Sequence, residues 1–158
     1  MAEPVRQIAS HDSVFGLRAA VRLMDEVSAP WVQDLGLLIE GIDTAKPGGM
    51  SADWHPGVLV RLPFSDRVRR DGAVACSQAL LALADTALML ACAAAWNGYR
   101  PMTAMDQTTH FLRPVQSDVI ADARMVRIGR HTSIGRAILV CAFDQRPVAM
   151  CSSAYAML

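Results

Sequence analysis

The chain has 158 residues, of which 53% are hydrophobic, and its 15 basic side chains balance 15 acidic ones. This length and composition predict one domain with an ample core at residues 12–158, preceded by a tail at residues 1–11. Because the formal net charge is zero, no long-range field favours nucleic acid or an anionic membrane, and neither is expected as a partner.

The cysteines and the N-terminus bear on the cellular compartment. Cys76, Cys92, Cys141 and Cys151 show neither CxxC spacing nor a Cys/His pattern of metal ligands. We therefore expect reduced residues in an intracellular protein, with no disulfide framework and no metal site. The opening MAEPVRQIAS lacks the apolar run of a signal peptide, so the sequence predicts a cytoplasmic protein.

An amphipathic helix is predicted near the N-terminus. Asp12 or Ser13 can cap it, and its buried face is expected to carry apolar residues spaced three and four apart, namely Val14, Leu17, Val21 and Met24. Pro30 is expected to end or restart this helix, because proline lacks the N–H that a helix interior needs.

Six segments have the pattern of β-strands, at residues 37–42, 58–64, 102–112, 119–128, 132–143 and 148–157. Pro63 marks the second of them as an edge strand or the end of a strand. Loops are expected at residues 46–57 and 65–72, and the last strands are expected to form hairpins. With one long helix after the second strand, the pattern predicts an α+β domain with an antiparallel sheet.

The long helix is predicted at residues 76–96, CSQALLALADTALMLACAAAW. Alanine and leucine are strong helix formers, and no glycine or proline occurs until Gly98. A helix that is apolar nearly all round is either buried in a protein or spans a membrane. Its many alanines and the carboxylate of Asp85 disfavour insertion into a bilayer, so a buried helix is the interpretation we adopt.

Asp85 is the only formal charge between Gly72 and Tyr99. Burying a carboxylate costs free energy unless it is paired or hydrogen-bonded. Two interpretations follow from the sequence. Asp85 is either a structural residue, paired with an arginine or bonded to Thr86 and backbone, or a functional carboxylate directed into a cleft.

Several motifs occur in order around this helix: LALADTA within it, PMTAMDQTTHFLRP after it, then VRIGRHT, and PVAMCSSAYAM at the end. Together with DLGLLIEGI and VLVRLPF before the helix, they resemble the PaaI-like acyl-CoA thioesterases of the hotdog superfamily. The resemblance implies an antiparallel sheet wrapped around the central helix, here with an extra N-terminal helix. It also implies a homodimer or dimer of dimers, in which two subunits form a continuous sheet with thioester sites at their interface.

The resemblance places a catalytic site on the central helix. The family has His-Gly-Gly at the start of this helix and an acidic catalytic residue nine positions after the His. Asp85 matches the acid, whereas Cys76, Ser77 and Gln78 stand where His-Gly-Gly is expected.

Other positions differ from the family pattern as well. Arg70 stands where an Asn is common, and Ala104, with Thr103 beside it, stands where Ser or Thr often precedes the Asp of the third strand. The phosphates of CoA suit the forked guanidinium of arginine, which makes candidates of Arg113, Arg127 and Arg130. A solvated sheet edge is the alternative interpretation of these arginines.

Asp85 can supply the chemistry of thioester hydrolysis, either as a general base for water or as a nucleophile that forms an anhydride. The oxyanion donor of the family is a backbone N–H, which Ser77 retains at a helix N-terminus. Ser77 and Asp85 lie about 12 Å apart along one helix, at 1.5 Å per residue. Two antiparallel helices across a dimer axis would bring Ser77 of one chain opposite Asp85 of the other.

Alternatives remain at the level of the residue and of the function. Cys76 is a nucleophile candidate because a helix N-terminus can lower a thiol pKa, but no His lies nearby in sequence, and a packing role is the alternative.

The protein is predicted to be an acyl-CoA thioesterase without a cofactor, since CoA is part of the substrate. A hotdog protein that binds acyl-CoA or another apolar ligand with little or no catalysis is the alternative, and a dehydratase or hydratase is a third.

Overall fold

The computed structural model describes residues 14–44 and 55–158. Within them, the helices are α1 (Leu17–Val27), α2 (Pro30–Gln33) and α3 (Ser77–Trp96). The strands are β1 (Leu38–Asp43), β2 (Gly57–Leu62), β3 (Arg69–Arg70), β4 (Val74–Ala75), β5 (Met102–Phe111), β6 (Val119–Arg127), β7 (Thr132–Cys141) and β8 (Pro147–Met157). The predicted tail at residues 1–11, the predicted caps Asp12 and Ser13, and most of the predicted loop at 46–57 lie outside the described residues.

Six of the strands form one antiparallel sheet in the order β1-β2-β6-β7-β8-β5. Successive hairpins join β6 to β7 and β7 to β8, whereas β5 follows α3 in sequence but pairs with β8 at the edge of the sheet. The six strands and the long helix confirm the predicted α+β class. Pro63 follows β2, which lies inside the sheet, so the proline marks the end of a strand and not an edge.

Helix α3 forms the core of the domain and packs mainly against β2, β6 and β7. Cys76 is its N-cap, and Asn97 ends it in the left-handed conformation. Leu83, Leu88 and Leu90 are completely buried, and burial of each such side chain contributes about 1.5–3 kcal/mol. The helix is long and apolar enough to cross a membrane, but 72% of its most apolar stretch is buried inside the protein. It is therefore the core helix that the sequence predicted.

Helix α1 is present, but the prediction of its buried face is wrong for three of its four residues; the fourth, Met24, is half-buried and packs against the core. Val14, Leu17 and Val21 are exposed, and the residues that α1 buries are Ala20 and Leu23. The helix starts after Gly16 and packs against α3 and β1. A stripe of apolar residues does not specify its partner surface, and the residues that α1 buries here are Ala20 and Leu23. As predicted, Pro30 restarts the chain as a helix, the short α2.

The charged segment at residues 65–72, predicted as a loop, contains a short hairpin. Arg69 and Arg70 of β3 pair with Val74 and Ala75 of β4. Two-residue strands are too short to produce a periodic signal in the sequence. The hairpin leads directly into α3, where the backbone N–H of Cys76 donates to the carbonyl of Val68 at 2.7 Å.

Candidate active site

Asp85 lies in the middle of α3 and reaches across to strand β8. The hydroxyl of Tyr155 donates to Oδ1 of Asp85 at 2.9 Å and lies 3.4 Å from the backbone carbonyl oxygen of the same residue. The side chain of Asp85 is half-buried, and among the described residues no basic group forms an ion pair with it. Among the described residues, Asp85 therefore has neither the arginine partner nor the Thr86 contact of the structural interpretation. One oxygen of its carboxylate instead accepts a hydrogen bond from a tyrosine.

Tyr155 is 3% exposed, and its surroundings keep its hydroxyl protonated. Burial raises the pKa of Tyr155 far above its usual value, and the negative charge of Asp85 raises it further. Tyr155 is not among the site residues predicted from the sequence. The signal that could have identified it is the alternation along β8, which directs Cys151, Ser153 and Tyr155 inward. A buried tyrosine hydroxyl needs a hydrogen-bond partner, and here the partner is Asp85.

Strand β5 brings Ala104 next to Tyr155. The two residues are paired directly across β5 and β8, so their side chains share the face of the sheet toward α3. A β-bulge follows, with Met105 as the extra residue between Ala104 and Asp106. Thr103 is paired with Ala156 and falls on the other face, so of the two predicted β5 residues only Ala104 lies on the Asp85 side.

Gln107 connects β5 to α3 one helical turn before Asp85. Its side-chain amide donates to the carbonyl of Leu81 and to the sulfur of Cys151, both at 3.4 Å. Leu81 and Asp85 are four residues apart and thus share one face of α3. Gln107, which is not among the predicted site residues, therefore lies on the same side of α3 as Asp85. An amide, a carboxylate and a phenol are thus brought together between α3 and the strands β5 and β8.

The N-terminus of α3 carries the three residues that replace the family motif. Cys76 is half-buried, and its side chain makes no capping hydrogen bond. Ser77 and Gln78 are exposed, and the hydroxyl of Ser77 donates to the side-chain oxygen of Gln78 at 3.3 Å. The N–H groups of a first helical turn have no partner within the helix, which leaves the N–H of Ser77 available to an anion. Within one chain these residues and Asp85 are two turns apart and form separate sites.

The predicted arginines have different environments. Arg113 donates to the carboxylate of Asp144 at 2.7 Å and to the carbonyls of Arg146 and Pro147, both at 3.1 Å. These contacts tie Arg113 to the β7–β8 turn, and its contact with a CoA phosphate stays a prediction. Arg70, Arg127 and Arg130 are exposed, and within residues 14–44 and 55–158 none of them forms an ion pair.

The hairpin between β6 and β7 carries Arg127 and Arg130 to the Tyr155 end of the sheet. His131, next to Arg130, accepts a hydrogen bond at its carbonyl from the N–H of Met157, two residues beyond Tyr155. Ser133 of the same hairpin is paired directly with Tyr155. In the part of the chain that the structure describes, no group of three or more His, Cys, Asp or Glu is placed to hold a metal ion.

Residues 79–144, which include Asp85, match the model of the thioesterase superfamily. The PaaI protein of the phenylacetic acid degradation operon of E. coli has a similar structure, with a TM-score of 0.71 and 22% identity over 88% of this chain and 91% of that one. A thioesterase from Haemophilus influenzae aligns with a TM-score of 0.72 and 19% identity over 92% of this chain and 94% of its own.

A conserved protein from Pseudomonas aeruginosa aligns with a TM-score of 0.70 and 23% identity, over 85% of this chain and 98% of that one. No curated protein matches the sequence significantly. At these identities the solved structures establish the fold alone. The fold is the hotdog fold. Together, this fold and the segment that matches the thioesterase superfamily confirm the resemblance to PaaI-like thioesterases that the sequence motifs predicted.

Proposed function

We propose that the protein hydrolyses acyl-CoA or aryl-acyl-CoA thioesters and that Asp85 is its catalytic carboxylate, acting as a general base or as a nucleophile. This proposal rests on the environment of the Asp85 carboxylate. It is half-buried in the core helix, has no cationic partner among the described residues, and is held at one oxygen by Tyr155. A half-buried carboxylate without a charge partner is poorly explained by stability, because burial of the charge is unfavourable.

Two routes lead from Asp85 to the same products. As a general base, Asp85 takes a proton from water while the water oxygen attacks the thioester carbon. The tetrahedral intermediate then expels the CoA sulfur, which takes that proton from Asp85 and leaves as the thiol. As a nucleophile, Asp85 attacks that carbon itself, expels the CoA thiolate and forms a mixed anhydride, which water then hydrolyses. In both routes negative charge develops on the thioester oxygen and requires a donor, for which the backbone N–H of Ser77 is the candidate.

The donor and the acid are proposed to meet across an interface between two copies of the chain. Strand β5 lies at the edge of the sheet with one side of its backbone unpaired. The strand and the residue that follows it expose large apolar side chains: Met105 is 61% exposed, Phe111 is 47% exposed and Leu112 is 51% exposed. Long apolar edges of this kind favour pairing with another chain. A second copy paired along β5 would extend the sheet and bring the N-terminus of one α3 toward Asp85 of the other.

The CoA part of the substrate is proposed to contact the exposed arginines. Arg127 and Arg130 lie on the hairpin beside the Tyr155 end of the sheet, and their guanidinium groups are free of carboxylates within the described ranges. Arg70 lies on the hairpin that leads into the N-terminus of α3. Phosphate groups pair well with such guanidinium groups, which offer two parallel donors.

A ligand-binding role with little catalysis is the second candidate, and the start of α3 favours it. The side chains of Ser77 and Gln78 bond to each other. Cys76 is an implausible nucleophile here, because no histidine interacts with it among residues 14–44 and 55–158. If the N–H of Ser77 does not reach the thioester oxygen, the site would bind an acyl group without hydrolysing it.

Release of free thiol from a panel of acyl-CoA and aryl-acyl-CoA thioesters separates the two candidates. Hydrolysis of at least one member, measured with a thiol reagent, is the expected result. Calorimetric binding of a thioester that is not hydrolysed would favour the binding role and reject the enzymatic one. A chelator in the assay should leave the rate unchanged, since the proposed steps use no metal.

A further inference from the structure

The contact between Tyr155 and Asp85 is built into the core of the domain. The phenol ring is almost completely buried on β8, and its hydroxyl has two acceptors, Oδ1 and the backbone carbonyl oxygen of Asp85. The second oxygen of the carboxylate, Oδ2, makes no hydrogen bond or ion pair with residues 14–44 or 55–158. Within these residues, one oxygen of the carboxylate therefore has a donor in the core of the domain, and the other has none.

In the part of the chain that the structure describes, no second side chain donates a hydrogen bond to this carboxylate. Ala104, directly across the strand pair from Tyr155, has no polar group in its side chain. The amide of Gln107 is directed to Leu81 and Cys151, one turn away along α3. Ser153, the next inward residue of β8, donates to the carbonyl of Asp106 at 2.6 Å. The orientation of Asp85 thus depends on the Tyr155 hydroxyl.

We propose that Tyr155 is a positioning residue for Asp85, holding Oδ1 so that Oδ2 is presented to the water or the thioester carbon. This inference rests on the proposed function. A carboxylate can rotate about its Cβ–Cγ bond, and a hydrogen bond from a ring that cannot move selects one orientation before substrate binds. Tyr155 gives up no proton in either route, because burial and the adjacent carboxylate hold its hydroxyl in the neutral form. Its contribution is made without contact with the substrate.

The variant Tyr155→Phe tests this role, because it keeps the ring and removes only the hydroxyl. We expect kcat to fall roughly 10- to 100-fold, the scale for losing one hydrogen bond to a charged group, with KM changed by less than about twofold. Tyr99→Phe is the matched control, since Tyr99 is an exposed tyrosine and its hydroxyl bonds to nothing in the described structure. It should leave both constants unchanged.

A double-mutant cycle distinguishes positioning from a general structural effect. In the Asp85→Asn background, Tyr155→Phe should lower the residual rate by less than about twofold, because the group it positions has already been lost. Equal losses in both backgrounds would overturn the inference while leaving the thioesterase proposal intact. A wild-type protein that hydrolyses no thioester would overturn the proposed function, and with it the catalytic role of Tyr155.

A measurement on the folded protein covers the case in which Tyr155→Phe does not fold. A buried hydroxyl that donates to a carboxylate exchanges slowly with water and gives its own proton resonance. The Tyr155 hydroxyl resonance should be visible in the wild type and should shift in Asp85→Asn, where the charged acceptor is replaced by an amide. A resonance that is unchanged in Asp85→Asn would overturn the inference.

Discussion

Ala104 and Tyr155 are direct partners across β5 and β8, so a side chain with no polar group lies beside the hydroxyl that holds Asp85. The site therefore draws its carboxylate from the core helix and its hydrogen-bond donor from the strand next to the sheet edge. Because that edge strand, β5, is where we propose a second copy binds, the hydroxyl that holds the proposed catalytic group lies one strand away from the proposed interface. The proposal therefore couples assembly to catalysis.

The edge of β5 provides a test of that coupling. Met105→Glu places a charge on the exposed strand and should convert the proposed dimer into a folded monomer. We expect kcat to fall by about 100-fold or more, because the proposed interfacial donor would be lost. Sedimentation velocity and circular dichroism measure the two properties. Met150→Glu is the matched control, since Met150 is 47% exposed on β8, which is paired on both sides. A wild type that sediments as a monomer at micromolar concentration and still hydrolyses thioesters would contradict the interfacial site.

Arg130→Glu tests the proposed contact with CoA phosphates. We expect KM for acyl-CoA to rise about tenfold while kcat changes less than about threefold, because a phosphate contact is made equally in the ground state and the transition state. Arg22→Glu, an exposed arginine on α1, makes the same change of charge away from the site and should leave KM unchanged. Equal increases in KM for both variants would indicate a non-specific effect of net charge.

Arg113 and Asp144 should affect stability and not substrate binding. The pKa of Asp144 is lowered by the backbone N–H of Arg146, and further by the guanidinium of Arg113. A lowered pKa in the folded state means that the stabilising effect is complete above the ordinary value of 3.8 and is lost as the pH falls through the folded value.

We therefore expect Asp144→Asn to lower the urea midpoint at pH 7 and to have no such effect at a pH below the folded pKa of Asp144. Urea titrations at several pH values measure this difference. Arg113→Gln should lower the midpoint at pH 7 with KM unchanged to within about twofold. An increase in KM for Arg113→Gln would support the contact between Arg113 and a CoA phosphate that the sequence predicted.

Gly135 tests the packing of the sheet on α3. A Cβ at this position would lie 2.8 Å from Cδ2 of Leu88 and 2.9 Å from Sδ of Met125. Gly135→Ala should therefore lower the free energy of unfolding by about 1–3 kcal/mol, the usual cost of overpacking a core. Gly41→Ala is the control, because the nearest atom to its Cβ would be 3.5 Å away, an ordinary contact. Similar urea midpoints for the two variants would contradict the close approach of β7 to α3.

The elements of the fold could be predicted because their signals are local. The strands show alternation, and α3 combines strong helix formers with one charge, Asp85. The buried face of α1 was predicted wrongly, because the stripe of Val14, Leu17 and Val21 carries no information about which surface it meets. These three side chains are exposed in the structure, and Ala20 and Leu23 are buried instead.

The site was predictable only in part, because its contacts join distant segments. Asp85 could be identified as a charge in an apolar helix, but Tyr155 is 70 residues away. Whether Tyr155 or Ser153 lies beside Asp85 depends on the position of β8 along α3, which the sequence does not encode locally. The role of Arg113 depends in the same way on the β7–β8 turn, where three acceptors converge on its guanidinium.

The most direct test of the account is the turnover of Asp85→Asn on a thioester that the wild type hydrolyses. Asparagine keeps the shape of the side chain and an acceptor for Tyr155, but it can neither take a proton nor attack a carbonyl. We expect kcat to fall about 100-fold or more, with the thermal unfolding temperature unchanged or raised because a half-buried charge has been removed. Cys76→Ser should keep kcat within about twofold of the wild type under the packing role of Cys76. A folded Asp85→Asn protein with the full specific activity of the wild type would show that Asp85 is structural and would contradict the account.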